Sequence, residues 1–220
     1  MRLVIVRHAQ SVANAEGRWQ GRLEFELSPE GREQARRLSD RFQQEGFQPT
    51  HIYSSPQKRT AETAKVVARA WSVPIEFWDD LKEIDVGAFS GLTWDEIADK
   101  YPEVAEEFQR MRRWAIVPGA EPVEERIARA RRVIRAVVHR HSDDDTLLIV
   151  THGGILLHML EALMDTGRTW GMTIRNTAVF DFALDIDRWW VDGEVRHNPA
   201  LWRIHHFNDA SHLIASTPPL

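Results

Sequence analysis

The chain has 220 residues, no cysteine and a formal net charge of −5. Without cysteine there is no disulfide, thiolate nucleophile or cysteine-ligated zinc, which suits a reducing cytoplasm. The acidic balance argues against a nucleic-acid partner, no apolar run nears the roughly 20 residues of a membrane span, and no signal-peptide pattern follows Met1.

A hydrophobic content of 43% and a charged content of 28% fit one globular domain over residues 1–220, with an elaboration. Leu3–Val6 reads as a short buried strand that ends directly in Arg7 and His8. A helix follows, capped by Ser28 with Pro29 in its first turn, with Ala35, Leu38 and Phe42 on one face and Gly46 as its stop. His51–Tyr53 is a second strand. It runs through Ser54-Ser55-Pro56 into a helix that turns Ala61, Ala64, Val67, Ala68 and Trp71 inward. Residues 92–122 break the rhythm with aromatic residues Trp94, Tyr101, Phe108 and Trp114 and three prolines, and read as an inserted helical cap. Val123–His141 predicts a helix and Thr146–Val150 a strand, and Gly153-Gly154 opens a helix carrying Ile155 to Leu163. Ala178–Leu184 is again a strand. Arg188–Val191, an Asp192-Gly193 turn and Leu201–Phe207 suggest a hairpin, and Ser216–Leu220 a frayed tail. Alternating strands and helices predict an α/β fold: a three-layer α/β/α sandwich with a mostly parallel central sheet, the helical cap and a C-terminal antiparallel hairpin.

Two strands end alike, LVIV-Arg7-His8 and LLIV-Thr151-His152-Gly153-Gly154. Ligands of open α/β sheets bind beyond the carboxyl ends of the strands, so neighbouring strands would set His8 against His152 across a crevice. A lone histidine at a strand end is more often a surface or core residue; the duplication brings the functional reading to equal weight. The glycines at the helix start suit an anion, because free N–H groups point outward there. Arg59 falls in the first turn of a helix, where the dipole disfavours a cation; a bound anion explains it, and so does a solvated surface position. Glu83 taken alone is an ordinary loop acid.

These residues resemble the histidine phosphatase superfamily, also called the phosphoglycerate mutase-like family. The matching stretches are Arg7-His8-Ala9-Gln10-Ser11 with Asn14, Gln20-Gly21, Leu27-Ser28-Pro29-Glu30-Gly31, Ser54-Ser55-Pro56 with Arg59 and Thr63, Glu83 with Gly87 and Gly91, Thr151-His152-Gly153-Gly154, and the closing Phe207–Leu213. They occur in order over nearly the whole chain. The resemblance implies that His8 is a nucleophile forming a phosphohistidine, and that Arg7, Arg59 and His152 hold the phosphoryl oxygens. It further implies that Glu83 is the general acid and base, and that Asn14, Gln20, Gly21 and Gly153 bind phosphate or substrate. No metal or other cofactor is implied, since fixed cations take the place of magnesium. Two departures stand out: Ala9 replaces the usual glycine, which implies a slightly more constrained loop, and Pro122 stands where a serine is common.

Mutase members usually carry Thr-Gly-Trp where this chain has Gln20-Gly21-Arg22, and their acid is followed by Arg-His-Tyr-Gly where this chain has Ile84-Asp85-Val86-Gly87. The phosphatase-type reading follows: a cytoplasmic, metal-independent hydrolase of a small phosphorylated metabolite. The alternatives are a mutase dependent on 2,3-bisphosphoglycerate and a non-catalytic phospho-ligand binding protein. The cap leaves open alpha-ribazole phosphate, phosphoserine, sugar phosphates or broad specificity. Its Arg110, Arg112 and Arg113 either meet an acidic substrate or pair with Glu103, Glu106 and Glu107, and pairing is the favoured reading. His139-Arg140-His141 and His205-His206 could suggest metal ligands, but a metal is disfavoured: His139 and His141, at a spacing of two, point to different helix faces. An edge strand beside the hairpin offers a surface on which two copies would pair.

Overall fold

Six strands form one sheet in the order β3-β2-β4-β1-β5-β6, with β1 at Arg2–Arg7, β2 at His51–Ser54, β3 at Ile75–Phe77, β4 at Thr146–Thr151, β5 at Val179–Leu184 and β6 at Trp202–Asp209. This computed structural model describes residues 1–189 and 198–214. The pairs β3–β2, β2–β4 and β4–β1 are parallel; β5 runs antiparallel to β1, and β6 to β5. The helices, in chain order, are α1 (Val12–Ala15), α2 (Pro29–Gln44), α3 (Lys58–Val67), α4 (Trp94–Lys100), α5 (Pro102–Met111), α6 (Val123–Arg140) and α7 (Gly153–Met164).

The three layers follow from the period of two along each strand. Val4, Val6, Leu148 and Val150 pack on Leu38 and Phe42 of α2 and on Ala64 and Val67 of α3. Leu3, Ile5, Leu147 and Ile149 face the other way, onto α6 and α7. The connection leaving β1 therefore crosses one face and the connection leaving β4 crosses the other. A crevice opens between their carboxyl ends, as strand-order reversal requires.

The expected cap is α4 and α5. Its aromatic rings turn inward: Phe108 lies 5.3 Å from Phe89 and 4.9 Å from Trp114, measured between ring centroids. Gly87 docks the cap end against the body with φ +55, and a Cβ there would stand 2.2 Å from the Pro118 carbonyl. The pairing reading holds for Arg113, bound to Glu107 at 2.7 Å.

Three expectations need correction. The antiparallel partner of β5 is Trp202–Asp209, and Arg188 lies in a bend and not a strand; Asp192-Gly193 and Ser216–Leu220 lie outside the described residues. Strand β3 was not anticipated, because three residues behind a proline give no periodicity. Ala61 and Trp71 are only half-buried, and the inward face of α3 carries Arg59, Thr60 and Thr63 instead.

Gly31 is helical, yet a Cβ on it would lie 1.9 Å from the Gln10 carbonyl oxygen, in the loop that follows His8. In an open helix Gly→Ala stabilises by roughly 0.5–1 kcal/mol. Here Gly31→Ala destabilises by about 1–3 kcal/mol through overpacking; urea unfolding checks the sign.

Candidate active site

The register Arg7↔Thr151 sets His8 and His152 side by side, and the His8 N–H extends the ladder to the Thr151 carbonyl at 2.8 Å. Their rings lie 5.1 Å apart, centroid to centroid. His8 Nδ1 is 2.7 Å from the Ala9 carbonyl oxygen, which accepts only. The proton therefore sits on Nδ1, and Nε2 keeps its lone pair. Burial first, then Arg59 and Arg7, hold the His8 pKa well below its ordinary value, so the ring is neutral near pH 7. His152 is held down in the same way, by burial first and then by Arg59, His8 and Arg7. Its Nε2 meets the hydroxyls of Thr60 and Ser55, each at 2.9 Å, and its Nδ1 has no partner among the described residues.

Both arginines are positioned by carbonyl groups and not by carboxylates. Arg59 is 0% exposed and donates to the carbonyls of Leu23 at 2.9 Å and Gly21 at 3.0 Å, leaving Nε unpartnered. Its place in the first turn of α3 is thereby explained, because the guanidinium reaches away to a facing loop. Burial pulls its pKa down to about 10, against the opposing pull of Glu83, so it stays charged near neutrality. Arg7 donates to the Ile174 carbonyl, and its Nε is likewise unpartnered.

Glu83 occupies the N-terminus of α7. Its carboxylate accepts from the N–H groups of Gly154 at 3.1 Å and Ile155 at 3.0 Å, so the donors expected for a substrate anion hold this side chain. A Cβ on Gly154 would lie 2.6 Å from Glu83 Oε1, whereas one on Gly153 meets only ordinary contacts with Arg7. Gly154 is thus the glycine the geometry demands.

Asn14 accepts through Oδ1 from Ser11 and from Asn176 at 3.4 Å, which leaves its Nδ2 as the donor toward the cavity it lines. Gln20 Oε1 accepts from Ser11 Oγ at 2.8 Å, and the Gly21 carbonyl serves Arg59 and Gln57; Gln20 and Gly21 also line the cavity. The Ala9 methyl is accommodated, buried beside Leu27 and Ala35, with its N–H donating to Thr63 Oγ1 at 3.0 Å.

Arg7, His8, Asn14, Arg59 and Glu83 converge on a cavity of about 600 Å³, whose outer wall includes Arg112, Trp114, Arg126 and His158. Sequence reasoning missed Gln57, which joins the Glu83 N–H at 2.8 Å to the Gly21 carbonyl at 3.1 Å. It also missed Asn176, donating to the His8 carbonyl at 3.0 Å. The signal was present for Asn176: β5 is antiparallel to β1, so its beginning lies at the carboxyl end of β1. Among the described residues, one His/Asp group, His51, His141 and Asp145, brings potential ligand atoms within 4.8 Å of one another. It lies at the starts of β2 and β4, the opposite end of the sheet. No described helix is long and apolar enough to cross a membrane.

A family model described as "Histidine phosphatase superfamily (branch 1)" matches residues 3–195. "Phosphoglycerate mutase-like protein 4" of Arabidopsis thaliana is 32% identical over 200 residues, 89% of this chain and 86% of that protein. "Metal-independent phosphoserine phosphatase" of the same plant is 35% identical over 157 residues, 70% of this chain and 65% of that protein. Among solved structures, "Bacillus stearothermophilus YhfR" superposes with a TM-score of 0.78 at 29% identity, covering 96% of this chain and 98% of that one.

The buried histidines make stability pH-dependent. His158 and His212 are pushed down to about 4 by burial first, with neighbouring arginines adding to it, and His8 and His152 are also depressed. In the unfolded chain each takes up a proton below about pH 6.5, so the unfolded state binds more protons and stability falls with pH. The contribution is fully present above pH 6.5. It declines by up to about 1.4 kcal/mol per pH unit for each histidine, continuing down to about pH 4 for His158 and His212. Urea unfolding at pH 7.5, 6 and 5 measures the slope, and a flat profile contradicts it.

Proposed function

The chain belongs to the histidine phosphatase superfamily, and on that premise we propose that it is a phosphatase that hydrolyses small phosphate monoesters through a phosphohistidine on His8. The observation that carries the reading is the state of His8: neutral, with its proton fixed on Nδ1 by the Ala9 carbonyl, and lining a cavity with two charged arginines. A neutral imidazole can attack phosphorus, and fixed cations stabilise the charge that the transferring group carries.

In this reading His8 Nε2 forms the N–P bond as the ester P–O bond breaks. Arg7 and Arg59 hold the non-bridging oxygens, with the Nδ1–H of His152 and the amide of Asn14 as neutral donors. Glu83 gives a proton to the departing oxygen, then takes one from water, whose oxygen attacks phosphorus and releases phosphate and neutral His8. Arg7 and Arg59 supply the positive charge, so no step draws on a metal; the relative named as metal-independent supports this. The segment Glu83-Ile84-Asp85-Val86-Gly87 favours the hydrolase over the mutase alternative.

Wild type releases phosphate from p-nitrophenyl phosphate, and excess EDTA leaves the rate unchanged. His8→Ala reduces turnover by more than about 10³-fold, as removal of a covalent nucleophile does. Rapid quenching with labelled substrate traps an acid-labile, alkali-stable adduct on wild type and none on the variant. Binding without any turnover supports the non-catalytic alternative. Phosphorus NMR with 3-phosphoglycerate and 2,3-bisphosphoglycerate tests the mutase, which requires 2-phosphoglycerate to appear faster than free phosphate.

A further inference from the structure

Arg126 is 1% exposed and lines the cavity that holds His8. Its Nε and one terminal nitrogen both donate to the backbone carbonyl of Glu121, and its guanidinium carbon lies 4.8 Å from the centre of the Trp114 ring. The Glu121 carboxylate is engaged elsewhere, held by the Nε of Arg129 at 3.0 Å and its Nη2 at 2.8 Å. Among the described residues Arg126 forms no ion pair with any carboxylate. Glu121, Glu83 and Asp85 act on this guanidinium through space without bonding to it, and no hydrogen bond engages its Nη1 among the described residues.

The neighbours define what would complete the charge. His158, on the same wall, has an unpartnered Nδ1 and stays neutral near pH 7, so it offers one hydrogen bond and no second charge. Arg112 ends α5 in the left-handed conformation, φ 53, and stands on the lining of the same cavity. The cavity therefore has two cationic regions, the clamp around His8 and the wall at Arg126, with Ile84, Val123 and Leu157 also on its lining. Two charged arginines serve the clamp region. At Arg126 one partly engaged, fully buried guanidinium beside a neutral imidazole matches a planar monoanion better than a second phosphate dianion.

We propose that Arg126 is a specificity residue that binds a carboxylate on the substrate, and that the substrate class is small phosphorylated carboxylic acids. This rests on the phosphatase reading above.

The test compares kcat/KM for O-phosphoserine and 3-phosphoglycerate with that for glycerol 3-phosphate, which has the same three-carbon frame without the carboxylate. Wild type prefers the carboxylated esters by about 10- to 100-fold, the range of a charge-assisted hydrogen bond. Arg126→Met collapses that ratio toward one, chiefly through KM for the carboxylated esters, and Arg126→Lys restores part of it. An equal ratio in wild type and Arg126→Met overturns the assignment, as does a wild-type preference for glycerol 3-phosphate or for a bisphosphate. Should Arg126→Met fail to fold, the wild-type preference alone decides. Quench labelling of His8 by p-nitrophenyl phosphate separates the two readings: a labelled enzyme with no carboxylate preference refutes the Arg126 assignment and leaves the phosphatase intact.

Discussion

The parallel pairing of β1 with β4 is the constraint on which the rest of the site depends. With Arg7 opposite Thr151, both strands end at the same level, and the two following histidines meet edge to face. A slip of one residue would send Arg7 and Thr151 to opposite faces, and the side chains that now pack against α2 and α3 would turn toward α6 and α7. The two faces, each with its own apolar cluster, hold that register in place. The helices crossing on opposite faces then leave the crevice open at the strand ends, where polar chemistry does not disturb the core.

Around this pair the electrostatics are arranged by backbone groups. Arg59 and Arg7 are held by carbonyls, and Glu83 by the free N–H groups at the start of α7. Carbonyls orient a guanidinium without neutralising it, whereas a carboxylate partner would cancel the positive potential that an incoming phosphate needs. Burial first, with the concentrated positive charge added to it, keeps His8 and His152 unprotonated. In the proposed mechanism the same surroundings that attract a dianion preserve the lone pair that attacks it.

Much of this was legible beforehand. Strands β1, β2, β4 and β5 announced themselves as short apolar runs, and α2, α3, α6 and α7 through their caps and periodicity. The cap was visible as an interruption. His8, Arg59 and His152 stood out because each follows a recognisable strand end or helix start, whereas Glu83 was singled out only by the family resemblance. The C-terminal antiparallel pair was legible as well, its second strand expected at Leu201–Phe207 and found at Trp202–Asp209, while the Asp192-Gly193 turn lies outside the described residues. The sequence singled out Gly153 of the pair, whereas Gly154 is the one that Glu83 approaches too closely for a Cβ. Gln57 left no mark in the sequence, since it acts on a residue more than 20 positions away, whereas Asn176 was marked only by the antiparallel entry of β5 beside the carboxyl end of β1.

The sequence by itself determined the layers, the strand ends and the kind of chemistry available, because periodicity, capping and motif spacing are local properties of the chain. The tertiary structure alone decided which histidine nitrogen carries the proton, which glycine must be glycine, and which described cation at the cavity wall has no ion-pair partner. Those are properties of groups brought together across the sheet: the Ala9 carbonyl on His8, Glu83 against Gly154, and Arg126 set over Trp114 at the cavity wall. Burial and distance set them, and neither is encoded in any single stretch of residues.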